Sequence, residues 1–363
     1  MRSPTLSTLT AMFVLASMFI GLSMAYLVLN ERVATFQEGA LRLAVQTRLA
    51  GLQTAFSQAL YREWNNLGPL AERLKSKDPK DLQDELTALV GSGEVISWAG
   101  YASSDGIVAV ASNGLLVGQS VKARPWFQRG LEGDFAGDAH EAVLLASKLP
   151  ASPTGEPLRF LDFATPIKDA YGKTTGVLGV HLNLDWAKET IVGIAKALEI
   201  DVFVVSPNGT VVISSVQGDF NNLDLASFRR ARAGALGAGV ERWPDSKTYF
   251  SATLTELTYS DLPKFGWGII GRIGADAAIQ PAKTFSTGLI ANLVTFGALL
   301  LLLTLVFVVI FVRPFNRLAE NARAIAAGED VYPFESDRTR ELSIVSAALA
   351  KLQCQVGSGS DKK

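Results

Sequence analysis

The sequence predicts an α+β membrane protein. Its parts are a long N-terminal helix, two tandem antiparallel-sheet modules, an apolar helix on either side, and an amphipathic helical pair at the end. Three observations predict this. Two long runs carry no charge, Ser3 to Asn30 and Thr284 to Val312. A stripe of apolar residues at steps of three or four follows the first run. Between stripe and second run, a hydrophobic strand, an Asp-Gly or Asn-Gly turn and another strand occur twice.

Each charge-free run exceeds the ~20 residues that a helix needs to cross ~30 Å of hydrocarbon. The first (9–30) has a rival reading as a cleaved signal peptide, because Ser23-Met24-Ala25 resembles a small-x-small cleavage site. Its apolar stretch is longer than the usual ~7–15 residues and runs directly into an amphipathic helix, which favours an anchor. The second (284–312) is too long and apolar for a buried soluble helix. Arg313, Arg317 and Arg323 follow the second run and Arg2 precedes the first. Positive flanks favour the cytoplasm. The N-terminus (1–8) and everything after 312 are therefore expected inside, with residues 31–283 outside the cytoplasm, as in a bacterial inner membrane protein with a periplasmic or extracellular region.

The stripe comprises Leu41, Val45, Leu49, Leu52, Phe56, Leu60, Trp64 and Leu67. It marks one face of a long helix over 31–80, extending roughly 50 Å at ~1.5 Å per residue. Such a helix serves equally as a stalk or dimer seam, or as a helix packed on its own domain. Next, GSGEVISWAGYASSDGIVAVASN reads as two strands around Ser104-Asp105-Gly106, with Gly supplying the positive φ. LRFLDFATPI and TGVLGVHLNLDW are later strands joined by DAYGK, and a helix of about a dozen residues follows. DVFVVSPNGTVVISS repeats the strand pair around Pro207-Asn208-Gly209, and FGWGIIGRI closes the region. Two related modules result, membrane-distal (81–190) and membrane-proximal (191–283).

After the second run, Phe315, Leu318, Ala322 and Ile325 share one helix face. Gly328 breaks the helix, and Leu342, Val345, Leu349 and Leu352 form a second stripe. Both sets step 3-4-3, as a coiled-coil seam does. Two short amphipathic helices cannot bury their stripes well alone, so a homodimer is expected. Residues 354–363 read as a flexible tail.

Composition narrows the function. Among 363 residues, 48% are hydrophobic, and the formal net charge is -1. No basic face for nucleic acid is indicated. Cys354 is the only cysteine, and the only histidines are His140 and His181. No cofactor, metal-ligand spacing or enzymatic motif is recognised: P-loop, G-x-S-x-G elbow and H-E-x-x-H are all missing. After Leu352 only QCQVGSGSDKK remains, too short for an output domain. The chain is expected to be no enzyme, acting either through a cytoplasmic signalling partner or as the sensing part of a longer protein.

The pieces YASSDGIVAVASN, GQSVKARPWFQRG, FLDFATPIKD, GKTTGVLGVHLNLDW and VFVVSPNGTVVISS, in that order between two apolar helices, resemble the double Cache (dCache) extracellular sensor family over roughly residues 31–280. Residues 313–353 resemble a HAMP relay. The distal segment most resembles sensors of membrane-bound diguanylate cyclases and histidine kinases. The resemblance implies a long helix followed by two PAS-like antiparallel sheets, with a small-molecule ligand, carboxylate- or amine-bearing, in the distal module. The implied function is a transmembrane signal-transduction receptor. The alternatives are the sensory portion of a cyclase or kinase whose output domain lies elsewhere, and a membrane scaffold or adhesion protein with no enclosed pocket.

Arg124, Trp126 and Phe127 form R-x-W-F, similar to the R-x-W-Y of amino-acid-binding relatives. There Arg forks a ligand carboxylate and the aromatics wall the pocket. The bland reading is an exposed helix-start Arg and two core aromatics. The relatives' amine-binding Asp falls where this chain has His181, and a neutral imidazole cannot replace a carboxylate as counter-ion. Asp162 shares a strand face with Phe160 and Ala164 and can supply the charge, or can pair structurally with Arg124 or Arg159. DFAGDAHEAVLLASKLP is expected to form part of a lid. It carries Asp134, Asp138, His140 and Glu141, with Asp138 and His140 as ligand candidates; a solvated loop outweighs a metal site there. Tyr101 either hydrogen-bonds a ligand from the first strand or packs.

Overall fold

The computed structural model describes residues 6–75, 78–150, 155–221, 223–329, 331, 334–336 and 339–360. Arg2, the rest of the first five residues, parts of the segment between Gly328 and Arg340 and the last three residues lie outside these. The chain divides into a unit of residues 38–279 and a second unit of residues 1–37 and 280–363.

Helix α1 runs from Leu6 to Asn65 and α2 from Leu67 to Leu74. The long helix expected over 31–80 thus breaks at Asn66. Helix α3 (Gln83–Val90) leads into the distal sheet: β1 (Ile96–Ser103), β2 (Val108–Ala111), α4 (Pro125–Glu132), β3 (Phe135–Glu141), α5 (Val143–Ala146), β4 (Arg159–Lys168) and β5 (Thr174–Asn183). Helix α6 (Leu184–Ala197) connects to the proximal sheet: β6 (Asp201–Val205), β7 (Val211–Ser214), α7 (Ala226–Arg232), β8 (Gly237–Arg242), β9 (Thr248–Leu254) and β10 (Gly268–Gly274). The strand orders are β2-β1-β5-β4-β3 and β7-β6-β10-β9-β8, the same topology twice, and all pairings are antiparallel. The tandem α+β architecture is the one that the alternating strands and repeated turns predict.

The turns show why. Gly106 and Gly209 take φ of 85° and 90°, open to glycine without steric cost. The preceding Asp105 and Asn208 each accept backbone N–H bonds two residues on, from Ile107 and Thr210. That is the Asx geometry that makes these residues turn formers.

One face of each sheet packs on α1. Val45, Leu49, Leu52, Phe56 and Leu60 are fully buried, in one core with Leu178 and Val180 of the distal sheet and Val202, Val204 and Ile269 of the proximal sheet. Burying each side chain contributes about 1.5–3 kcal/mol. The α1 stripe is therefore consumed within its own chain, the second of the two readings the periodicity allowed. The opposite faces form separate clusters, under α4 in the distal module and beside α7 in the proximal one.

In the other unit, α1 and α8 (Ala275–Phe307) are both long and apolar enough to cross a membrane. Their large side chains, among them Phe13, Phe19, Leu302 and Leu305, point outward. Leu22 meets Gly297 between them. A π-helical turn follows over Val308–Val312, then α9 (Arg313–Ala326). Pro314 supplies the reason: it has no N–H for a carbonyl four residues back, so the ladder widens before it. Helix α10 runs from Arg340 to Ser360, so the expected tail from Cys354 is helical as far as Ser360. An apolar groove lies between Phe315, Leu318 and Ala322 of α9 and Leu342, Val345 and Leu349 of α10.

Candidate functional site: the outer face of the distal sheet

The face of the distal sheet turned away from α1 presents Trp98, Gly100 and Ala102 from β1, Val177, Gly179 and His181 from β5, and Phe160, Asp162 and Ala164 from β4. Register brings the polar pair together, since His181 stands opposite Trp98 on one side and Asp162 on the other. Asp162 and His181 are buried, 3% and 5% exposed. Nδ1 of His181 and Oδ1 of Asp162 are 2.5 Å apart. A carboxylate on an apolar face is costly unless paired, and here the partner is an imidazole rather than the Arg124 or Arg159 expected from sequence. Trp98, Trp126 and Phe160 surround the His181 ring at centroid distances of 5.1, 6.1 and 5.7 Å.

His140 joins the pair through an irregularity. On β3, Gly137 stands opposite Asp162 while His140 stands opposite Phe160. Three steps on β3 match two on β4, so a bulge adds one residue. Without it His140 would fall on the other face. With it, Nδ1 of His140 lies 3.6 Å from Oδ2 of Asp162, and the two imidazoles meet edge to face at 5.7 Å. Gly137 leaves the room: a Cβ there would stand 2.9 Å from Cβ of Asp162. The same Nδ1 lies 3.3 Å from the Asp138 carbonyl.

Above this trio lies a cavity of about 70 Å³ whose walls include Trp98, Arg124, Trp126, His140, Leu144 and His181. Arg124 is the N-cap of α4, where Pro125 at the first helical position starts the helix. Its side chain is exposed at the rim and makes no ion pair among the described residues. Trp126, one turn in, is buried and lies on the shallow floor made by Gly179.

Of the residues singled out from sequence, Arg124, Trp126, His140 and His181 line the cavity and Asp162 sits directly behind it. The others do not. Tyr101 projects to the α1 face, buried in that core, with its hydroxyl donating to the Thr175 carbonyl at 3.0 Å. Strand parity decides this: Trp98, not Tyr101, is the β1 residue on the cavity side. Phe127 is 2% exposed and packs beneath α4. Asp138 points away from the cavity and accepts from the Trp267 indole N–H at 2.8 Å. Of the stretch from Asp134 to Pro150, expected as part of a lid and as a solvated loop more than a metal site, Phe135–Glu141 is strand β3, and His140, Ala142, Leu144 and Leu145 line the cavity. Sequence reasoning passed over Trp98, although its alternation with Gly100 and Ala102 was visible. It also passed over Trp267, which no local pattern ties to Asp138.

Asp138 matters for another reason. Its bond to Trp267 joins β3 of the distal sheet to the start of β10 in the proximal module. Phe265 stacks on Trp267 at 4.7 Å and tilts against Phe163 at 5.5 Å. Phe163 follows Asp162 on β4, on the opposite face.

The proximal module fills the corresponding place differently. Arg272 occupies β10 as His181 occupies β5, third from the strand end, opposite Asp201 on β6 and Ser251 on β9. It is 6% exposed. Nε bonds Asp201 Oδ2 at 2.9 Å, and the guanidinium carbon sits 3.9, 4.1 and 5.3 Å from the rings of Tyr249, Trp243 and Phe203. The Tyr249 hydroxyl donates to Asp245 at 2.6 Å. That bond holds the Asp245 carboxyl below its ordinary range, while burial pushes the Tyr249 phenol up.

No family model matches the chain, and no curated protein matches it. Solved structures do. An extracellular ligand binding receptor from Desulfohalobium retbaense DSM5692 matches at 15% identity and a TM-score of 0.47, over 61% of this chain and 39% of that one. The chain thus spans well under half the length of that receptor. The ligand binding domain of the Pseudomonas aeruginosa PAO1 amino acid chemoreceptor PctB, in complex with L-Gln, matches at 16% identity over 70% of this chain and 98% of that one, with a TM-score of 0.47. The ligand-binding domain of the Pseudomonas fluorescens chemoreceptor CtaA, in complex with L-leucine, matches at 17% identity over 69% of this chain and all of that one, with a TM-score of 0.46.

Proposed function

We propose that this chain is a transmembrane receptor whose distal module binds a small carboxylate outside the cytoplasm and whose second apolar helix carries the signal inward. One observation carries the choice of ligand. Among the described residues no carboxylate lines the cavity, and Asp162 behind it faces His181 and His140, so the charged and titratable groups offered to a ligand are the Arg124 guanidinium and the imidazoles. A guanidinium fork suits a carboxylate. An ammonium group finds no carboxylate on the cavity wall among the described residues, which sets this pocket against amino acids. The cavity, about 70 Å³, suits a short monocarboxylate.

The route out follows chain connectivity. The Asp138–Trp267 bond ties the bulged strand to β10, and β10 passes directly into α8 at Ala275. Helices α9 and α10 then act as a HAMP-like relay in a homodimer, read by a cytoplasmic partner. A ligand shifts this equilibrium only by its differential affinity for the two states.

The test is a thermal-shift screen of the full-length protein in nanodiscs. Short monocarboxylates are compared with the corresponding amides and amines. Carboxylates at 100 times Kd stabilise by about 2.7 kcal/mol through mass action, and Arg124→Ala removes the shift. Equal stabilisation by the amides, or a shift that survives in R124A, refutes this assignment.

A further inference from the structure

We propose that His140, Asp162 and His181 together bind a divalent first-row transition-metal ion, zinc or a near neighbour, at the inner end of the distal cavity. This rests on reading that cavity as the binding site, but not on which organic ligand it takes.

The donor set comes first. Two imidazoles and one carboxylate suit zinc and its neighbours, whereas calcium and magnesium call for a shell of oxygens. One donor atom from each residue lies within 4.8 Å of the other two. A zinc ion with bonds of ~2.0–2.2 Å holds tetrahedral donors ~3.3–3.5 Å apart. As they stand, His181 Nδ1 and Asp162 Oδ1 are hydrogen-bonded at 2.5 Å and must part by about 1 Å to share an ion, while His140 Nδ1 stands 3.6 Å from the other oxygen, Oδ2.

Hydrogen bonding gives the His140 ring one weak partner, the Asp138 carbonyl. At 3.6 Å its Nδ1 is beyond a hydrogen bond to Asp162, and its 3.3 Å approach to the Asp138 carbonyl is long. Yet β3 gives up regular pairing to place this ring beside the carboxylate, and bulges gather where a side chain is re-aimed for function. If the ring turns so that Nε2 meets the ion, the Asp138 carbonyl becomes the outer partner that metal-bound histidines commonly have.

The proximal module makes the same point. There the buried strand position carries its own cation, Arg272, beside Asp201. The distal module has a carboxylate in the adjoining register but no Lys or Arg against it among the described residues. It has instead the ligands for a cation from solution. The cavity leaves open positions on such an ion, facing Arg124, where a carboxylate oxygen can complete the coordination. The sequence concealed all of this, because residues 140, 162 and 181 follow no metal-ligand spacing.

The experiment uses full-length protein in nanodiscs, stripped with a chelator and titrated calorimetrically with zinc alone. One ion per chain is expected. His140→Ala, chosen because that ring is partly exposed on an edge strand, should weaken binding by at least about tenfold while the melting temperature of the metal-free protein stays the same. Asp162→Asn should weaken it further. Cobalt in place of zinc should give an absorption spectrum of mixed nitrogen and oxygen ligation that H140A alters. No stoichiometric binding, or binding that H140A leaves unchanged, overturns the proposal. No stoichiometric zinc, with carboxylate bound by the zinc-free protein, removes the metal but leaves the receptor reading standing. Zinc binding lost in H140A, with no carboxylate bound in either state, upholds the metal and removes the assigned ligand.

Discussion

The two sheets share strand order and the same turn chemistry, yet their outer faces have parted. In the distal module the third residue from the end of the last strand is His181, beside a buried Asp162, a bulged neighbour strand and a cavity. In the proximal module it is Arg272, enclosed by Tyr249, Trp243 and Phe203 and neutralised by Asp201, with β8 and β9 in unbroken register. The first arrangement keeps polar groups at a hole; the second plugs the hole with the chain's own guanidinium. One fold thus yields a face with a cavity and a face that is filled, and the difference lies in a few strand residues.

Exchanging the roles is the strongest way to break this comparison. Arg272→Ala should destabilise the protein by about 3 kcal/mol in denaturant unfolding, because it removes buried packing and several desolvated cation–π contacts. Asp201, 35% exposed in its side chain, can be rehydrated, so the loss is mainly of packing. Arg272→Lys should lose less, keeping the charge but not the planar stacking. Unchanged carboxylate binding in R272K would confirm the face as structural; lost binding would erase the distinction.

Arg124→Ala should do the reverse. The side chain is exposed and makes no ion pair among the described residues, so stability should move by no more than about 0.5 kcal/mol. Carboxylate affinity should drop by about 1.5–3 kcal/mol, the worth of a charged hydrogen bond, or roughly tenfold to a hundredfold in calorimetric Kd. A stability loss exceeding the affinity loss would make Arg124 a structural residue.

Trp267→Phe probes the join between the faces. It removes the indole donor to Asp138 but leaves ring packing, and Asp138 keeps its bond from the Ala139 amide. The cost should therefore be about 1 kcal/mol. Hydrogen exchange of β3 amides should quicken while β6 and β7 stay protected. If only the proximal module loosens, Trp267 does not couple the two.

The smallest effect concerns acid. The Asp245 carboxyl is depressed by the Tyr249 hydroxyl. A depressed folded pKa adds stability that is present above the ordinary carboxylate range and is lost as pH falls through the folded value. Tyr249→Phe should flatten that acid limb of the proximal module's unfolding and leave the distal cavity's ligand affinity alone. An unchanged acid limb would mean that other carboxylates set it.

Local chemistry already marked the frame. Turns at Asp105-Gly106 and Asn208-Gly209, the α1 stripe from Leu41 to Trp64 and two apolar helices were all legible, because each depends on periodicity or on one dipeptide. Asp162 was legible too, as a carboxylate among apolar neighbours on a strand. Tyr101 stayed open between a ligand bond and packing, and Asp138 was given to the ligand, because facing depends on register, and a shift of one residue reverses it. His140 shows this most sharply: only the bulge against β4 turns it inward.

The sequence by itself determined which elements form, their order and their repetition, since hydrophobic period and turn residues act over a few neighbours. Only the tertiary structure decided that residues 140, 162 and 181 meet, and that Trp267 closes on Asp138. Those encounters depend on strand pairing between segments far apart in the chain, where no local preference specifies the partner.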